Sequence, residues 1–165
     1  MVSRANDFGV CRERRENISS EKAIGFRHTG IIVENMYESQ YFYQNLLGLV
    51  VIQDYSDDSK YINEVLGLTN GKIHMVKLKT EDGYIIELLD YVNHPTDFIN
   101  APFYNIGTSH IAFTVKNATR MYNTLINAGI NVISKPLLSS EKTAKVFFCT
   151  DPNGIRVELV EIVKK

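Results

Sequence analysis

Residues 26–33 read FRHTGIIV and residues 107–115 read GTSHIAFTV, and these two stretches decide the fold. In each stretch a histidine, His28 or His110, precedes an apolar run that ends in valine, and an asparagine follows seven positions after the histidine. Asparagine is a favoured helix N-cap, because its side-chain oxygen accepts from the free backbone N–H groups of the first turn. Each stretch therefore predicts a β-strand that leads into a helix.

The same order of elements follows both of these strands. Each predicted helix ends at a glycine, and three strand-like segments come next, the last two separated by a short turn, EDG at 81–83 and DPNG at 151–154. Asp and Gly in that setting favour a hairpin. An internal repeat of this kind predicts an α+β fold of two tandem βαβββ modules that form a curved mixed sheet.

Three details of the repeat are specific enough to compare with a structure. The first helix, over 36–47, is expected to bury Tyr37, Tyr41 and Leu47 as an apolar stripe. The second strand of the second module is expected at 130–135. The first half also carries an extra segment, SKYINEVLGLTNG, which reads as a short helix and a turn.

Length and composition restrict the class of protein. We expect a single domain over residues 24–163, made of module one (24–98) and module two (106–163), after a polar N-terminal arm at 1–23. The 18 basic and 19 acidic residues leave a formal net charge of −1, which gives no electrostatic reason to expect nucleic acid. No apolar run is long enough to predict a membrane span. Two cysteines make no disulfide framework, so we expect a reducing compartment, the cytoplasm.

Two glutamates complete the repeat, since Glu87 and Glu158 each lie four residues after the glycine of their turn. Strand alternation points these glutamates and the two histidines away from the bulky residues that face the helices. A lone polar residue on a strand usually has a structural role, and the pairing by the repeat is what favours a site. Burying two carboxylates costs on the order of several kcal/mol each unless a cation compensates. Two imidazoles and two carboxylates suit one divalent ion, so we expect a metal site held by His28, Glu87, His110 and Glu158. This donor set does not distinguish Zn, Ni, Co, Mn, Mg and Fe.

The stretches RHTGIIV, YIIELLDY, TSHIAFTV and DPNGIRVELVE resemble the vicinal oxygen chelate superfamily, which includes glyoxalase I, methylmalonyl-CoA epimerase, extradiol dioxygenases and antibiotic-resistance proteins. The resemblance covers about residues 24–163. It implies a curved sheet around a metal, bound by one residue from the first and fourth strand of each module, at the four positions named above. It also implies a homodimer and a divalent-metal-dependent lyase, isomerase or epimerase, similar to lactoylglutathione lyase or methylmalonyl-CoA epimerase. Such an enzyme removes a proton α to the carbonyl or thioester group of a small-molecule substrate.

The resemblance also suggests roles for single residues. Glu158 matches the carboxylate that moves the proton, so it would be both metal ligand and base. His74 lies nearest to the second acid or base of the epimerases, and a solvent-facing histidine is an equal alternative. Arg156 shares strand parity with Glu158, and Tyr91 shares it with Glu87, which makes Arg156 and Tyr91 candidates for substrate binding.

Two other functions stay open on the sequence. The chain could be a non-catalytic, resistance-type protein that binds a small molecule, or an Fe(II) extradiol dioxygenase. Glyoxalase I tends to place a glutathione-binding arginine four residues after the first histidine, and Ile32 occupies that position here. The sequence therefore leaves open whether the substrate is a glutathione or a coenzyme A conjugate.

Overall fold

Each module folds into one four-stranded sheet in the computed structural model, which describes residues 22–94, 96–99 and 101–163. The first module comprises β1 (Thr29–Ile32), α1 (Met36–Gln40) with a π-helical continuation (Tyr41–Leu46), β2 (Val50–Asp57), α2 (Lys60–Leu66), β3 (Ile73–Lys79) and β4 (Ile85–Tyr91). The second module comprises β5 (His110–Thr114), α3 (Ala118–Asn127), β6 (Leu137–Leu138), β7 (Ala144–Thr150) and β8 (Arg156–Ile162). The predicted arm at 1–23 lies outside the described residues except for its last two positions.

The two sheets have the same topology. Their strand orders are β1-β4-β3-β2 and β5-β8-β7-β6. In both sheets the first and fourth strands of the module pair in parallel, and the remaining neighbours are antiparallel. The predicted α+β class and the two βαβββ modules are confirmed.

The asparagines of the repeat cap the helices as predicted. The Asn35 side chain accepts from the backbone N–H of Glu38 at 3.2 Å, and the Asn117 side chain accepts from that of Arg120 at 2.8 Å. These bonds satisfy donors that a helix cannot satisfy from within. Each cap therefore fixes where the chain turns from the first strand of its module into the helix.

The first helix buries a different face from the one that the sequence predicts. Tyr37 and Tyr41 are 79% and 46% exposed, so the prediction is wrong for both tyrosines, whereas Leu47 is partly buried against the core. The buried face consists of Met36, Ser39, Phe42 and Tyr43. The helix widens from Tyr41 onward, where the N–H of Leu47 donates to the carbonyl of Phe42, five residues back. This wider turn allows two consecutive aromatic residues to enter the core.

The second strand of the second module also lies elsewhere. The segment predicted as a strand at 130–135 contributes one isolated bridge, Val132 to Cys149, and the regular strand is β6 at Leu137–Leu138. Val132 and Leu137 are five residues apart, but their partners on β7, Cys149 and Val146, are three apart. Two extra residues are therefore inserted between the bridge and β6. Pro136 lies in this insertion and has no N–H to donate to a sheet, which favours the interruption.

One apolar core joins the helix-covered faces of both sheets. Fully buried members come from each module, including Phe42, Tyr43, Leu125, Phe147 and Leu159. Burial of one such side chain contributes about 1.5–3 kcal/mol. Within the described residues, no helix has the length and apolar character needed to cross a membrane.

Polar side chains also tie the two modules together on this side. The Tyr43 hydroxyl donates to the Asp151 carboxylate at 3.1 Å, and the Asn153 amide donates to the hydroxyl of Ser39 at 3.0 Å. The Asn153 carbonyl oxygen accepts from the backbone N–H of Glu34 at 3.0 Å. Burial is the main reason that the pKa values of Tyr43 and Asp151 are raised. The DPNG turn of module two is therefore bonded to the β1–α1 region of module one.

Candidate metal centre

The first predicted pair of ligands meets on the sheet of module one. His28 Nε2 lies 3.1 Å from Glu87 Oε2, and Glu87 is only 8% exposed. Register explains the contact, because Gly30 on β1 is the partner of Glu87 on β4 and His28 lies two residues before Gly30. Leu88 and Ile31 take the opposite, core-facing side. We call His28 and Glu87 the first half-site.

The second predicted pair forms the same arrangement on the other sheet. His110 Nε2 lies 3.2 Å from Glu158 Oε2. The partner of Glu158 on β5 is Ala112, two residues after His110, so the geometry repeats that of module one. The side chains are more open, with His110 53% and Glu158 22% exposed. We call His110 and Glu158 the second half-site.

The structure does not bring the two half-sites together within one chain. Among the described residues, no group of three or more His, Cys, Asp or Glu side chains is close enough to hold a metal ion. The geometry of each half-site suits two of the four ligands of a metal ion. Two ligands about 2.0–2.2 Å from a tetrahedral ion lie roughly 3.4 Å apart, which is close to the separation in both pairs. One imidazole and one carboxylate from each half-site would give the predicted four ligands.

His74 lies on the other face of its strand from Glu87. The cross-strand partner of Glu87 on β3 is Lys77, whereas the partner of His74 is Asp90. Side chains alternate along the strand, so His74 lies on the core-facing side. His74 Nε2 contacts Asp54 Oδ1 at 2.7 Å. The structure therefore does not bring His74 into the first half-site.

The two residues predicted to bind substrate share faces with the half-sites. Tyr91 follows Glu87 by four positions on β4, and thus points to the same side. Arg156 is the cross-strand partner of His110 and shares a face with Glu158. The Arg156 guanidinium stacks on the ring of Phe103, 3.5 Å from its centre. Phe103 comes from the loop between the modules, and sequence reasoning did not single it out.

A family model described as the Glyoxalase/Bleomycin resistance protein/Dioxygenase superfamily matches residues 25–159. The chain belongs to this superfamily. No curated protein matches the chain.

Solved structures of the superfamily share the fold. A glyoxalase family protein from Bacillus cereus is 20% identical, with a TM-score of 0.82 over 90% of this chain and 100% of that one. FosX, a fosfomycin resistance protein from Listeria monocytogenes solved with Mn(II) and sulfate, is 17% identical, with a TM-score of 0.59 over 86% of this chain and 95% of that one. A trypanothione-dependent glyoxalase I from Leishmania major is 18% identical, with a TM-score of 0.55 over 81% of this chain and 84% of that one.

A lysine that the sequence analysis did not single out lies against the first half-site. Lys77 Nζ lies 3.2 Å from Glu87 Oε1, on the side of the carboxylate away from His28. The ammonium also lies 5.9 Å from the centre of the Tyr55 ring. Positions 77 and 87 lie at equal distances in sequence from the middle of the EDG turn, so they are cross-strand partners in the hairpin. The position of the turn in the sequence could therefore have predicted the contact.

A pocket of about 430 Å³ opens beside the first half-site. Its polar lining includes His28, Lys77, Gln53 and Arg27. Its apolar lining includes Ile24, Phe26, Ile52 and Ile85. A larger pocket, of about 620 Å³, lies between the first helix and the DPNG turn, and none of the four predicted ligands lines it. The smaller pocket is therefore the one next to the predicted metal ligands.

Proposed function

We propose that this chain is a divalent-metal-dependent isomerase, lyase or epimerase that removes a proton α to a carbonyl or thioester group. The observation that carries the proposal is the pair of matched half-sites, each with an imidazole and a carboxylate about 3 Å apart at equivalent positions of the two modules. Membership of the superfamily supports this reading, since glyoxalase I is among its members.

His28, Glu87, His110 and Glu158 would hold the metal ion. A divalent ion held there would supply Lewis acidity, which lowers the cost of negative charge on a substrate oxygen. The Mn(II) in the structure of FosX supports a divalent ion for this fold. The two carboxylates would balance the charge of such an ion, while the two imidazoles would bind it as neutral ligands.

The complete site is proposed to form between two copies of the chain. The modules join through their helix-covered faces, and none of the four ligands belongs to the shared core. In a two-fold symmetric homodimer, the first half-site of each copy would meet the second half-site of its partner, which gives two equivalent complete sites. The greater exposure of His110 in the single chain is consistent with a face that a second copy covers.

Glu158 is proposed as the base. Its carboxylate would accept the α-proton and return it to the neighbouring carbon, whereas epimerisation would need a second acid on the opposite face of the carbon. Arg156 and Phe103, stacked on the same side of the second module, would bind the substrate.

Exchange of the substrate α-proton with deuterated solvent tests the assignment of Glu158. We expect Glu158→Gln to slow exchange by roughly 10²–10⁴-fold, because an amide cannot accept the proton. Methylmalonyl-CoA and the glutathione hemithioacetal of methylglyoxal are the probes, followed by NMR. The control is Glu64→Gln, which removes an exposed helix carboxylate paired with Lys60 and should leave exchange unchanged.

Unchanged exchange in the Glu158→Gln protein would reject this residue as the base.

The metal content of protein purified without chelator separates the proposal from its main alternative. A stoichiometric divalent ion supports the enzyme. Persistent absence of metal would instead favour a small-molecule binding protein, for which the partly apolar pocket beside the first half-site is suited.

A further inference from the structure

Lys77 is a cation held inside the first half-site. Its side chain is 17% exposed, whereas the side chain of Lys60, which also pairs with a glutamate, is 90% exposed. An ammonium with so little access to water needs an anionic partner close by. The Glu87 carboxylate, 3.2 Å away and 11% exposed, is that partner.

Glu87 is shared between this lysine and the proposed metal. One carboxylate oxygen contacts His28 and the other contacts Lys77. A divalent ion bound by the Glu87 oxygen that contacts His28 would repel the nearby ammonium of Lys77, and the repulsion is stronger where water is scarce. Metal binding would therefore weaken the ion pair between Lys77 and Glu87 and favour another anion beside Lys77.

The pocket beside the half-site offers room for that anion. Lys77 lines it together with His28 and Arg27, so its polar side is rich in groups that bind negative charge. The opposite side is lined by isoleucine and phenylalanine side chains. Such a pocket fits a small molecule that carries an anionic oxygen group on an apolar body.

We propose that Lys77 makes the site specific for anionic substrates. Its ammonium holds Glu87 while no metal is bound, and it binds an anionic oxygen of the substrate, such as a carboxylate, once Glu87 ligates the metal. The exchange replaces one ion-pair partner by another, and no covalent bond changes. This inference rests on the proposed function, because it takes Glu87 as a metal ligand.

Metal titration tests the first half of the exchange. Lys77→Met removes the competing cation, so we expect its Kd for Zn²⁺ or Mn²⁺ by calorimetry to be at least tenfold lower than that of the wild-type protein. Lys77→Arg keeps the charge and should bind metal like the wild type. The matched control is Lys79→Met, two residues further on the same strand and on the same face but exposed, which should change the Kd less than twofold.

A merely structural role for Lys77 would weaken metal binding when the residue is lost, so tighter binding is diagnostic. If Lys77→Met does not fold, Lys77→Gln carries the same expectation. Equal metal affinity of the wild-type and Lys77→Met proteins would overturn the inference and leave the proposed function intact. Absence of metal binding by every variant would reject the proposed function, and this inference with it.

Oxalate binding to the metal-loaded proteins tests the second half. Oxalate is a small dianion that chelates a metal through one oxygen of each carboxylate and leaves its other oxygens to accept from a neighbouring ammonium. We expect its Kd to be at least tenfold higher for Lys77→Met than for the wild type, with Lys79→Met unchanged. Equal oxalate affinity for the wild-type and Lys77→Met proteins would overturn the role of Lys77 in binding the substrate.

Discussion

Cys149 keeps its proton in the folded chain. The thiol is buried in the core, and burial, with a smaller contribution from the Asp151 carboxylate, raises its pKa from 9.0 to about 12. The thiolate is the form that reacts with electrophiles. A pKa raised in this way also means that folding favours the protonated thiol, so this contribution to stability is complete below pH 9 and is lost as pH rises towards 12.

Thiol labelling checks this at the residue scale. In a Cys11→Ser variant, Cys149 is the one remaining cysteine. At pH 8 we expect a disulfide reagent to react about a thousandfold more slowly with the native protein than with the protein unfolded in urea, because the thiolate fraction falls by that factor. The native rate should rise about tenfold per pH unit. Fast native labelling at pH 8 that does not depend on pH would contradict the protected thiol.

The sequence predicts the position of a site residue where the alternation of side chains along a strand is enough to place it. The pairing of His28 with Glu87 follows from alternation along two strands joined in parallel, and the structure shows the contact. The same alternation that places Val76 in the core places His74 on the core-facing side, away from Glu87. Lys77 was missed because only the register of the hairpin, and not its composition, reveals its position opposite Glu87.

At the scale of elements, the DPNG turn does more than reverse the chain. Asn153 within it bonds to the Ser39 hydroxyl and to the backbone N–H of Glu34, and so connects module two to the first helix. Its own N–H donates to Asp151 at 2.9 Å, which holds the turn in shape. A turn that looks like simple hairpin chemistry in the sequence is therefore part of the contact between the modules.

Replacing Asn153 by alanine measures this contact. The substitution leaves the partly buried Glu34–Ser39 region without its side-chain partner, so we expect unfolding by urea to become about 1–3 kcal/mol easier. Asn123→Ala, at an exposed site on α3, is the control and should change stability by no more than about 0.5 kcal/mol. A loss as small as that of the control would mean that the apolar core alone joins the modules.

Elements were predictable where their signals are local and were missed where tertiary packing decides. The N-caps Asn35 and Asn117 lie where the sequence predicts, because a cap depends on bonds within one turn. The π-helical continuation does not follow from spacing. It forms where Phe42 and Tyr43, adjacent in sequence, are both fully buried against the other module.

At the scale of the whole molecule, the two half-sites lie on separate sheets and do not meet within the part of the chain that the structure describes, so we propose that a second copy completes the centre. Mixing two variants tests this. A His28→Ala chain and a His110→Ala chain each lose one ligand from every site of their own homodimer, so each alone should bind Zn²⁺ at least about tenfold more weakly. The mixed dimer should regain one intact site, with wild-type affinity and half the wild-type stoichiometry.

A mixture of His28→Ala and Glu87→Ala chains is the control, because both changes lie in the first half-site and no intact site can form between the copies. Recovery in the first mixture and not in the control supports sites shared between chains. No recovery in either mixture would place each site within one chain. The family resemblance implies a homodimer, but the repeat itself specifies only the modules and does not specify which copies meet.

The separation of the core from the half-site faces has a consequence for how this architecture diversifies. The apolar cluster that joins the modules includes none of the four proposed ligands, so their replacement leaves its packing in place. Descendants of such a chain are free to exchange one ligand, admit another ion or lose the ion altogether while keeping the fold. A superfamily that unites glyoxalases, resistance proteins and dioxygenases on one scaffold is the outcome that this freedom favours.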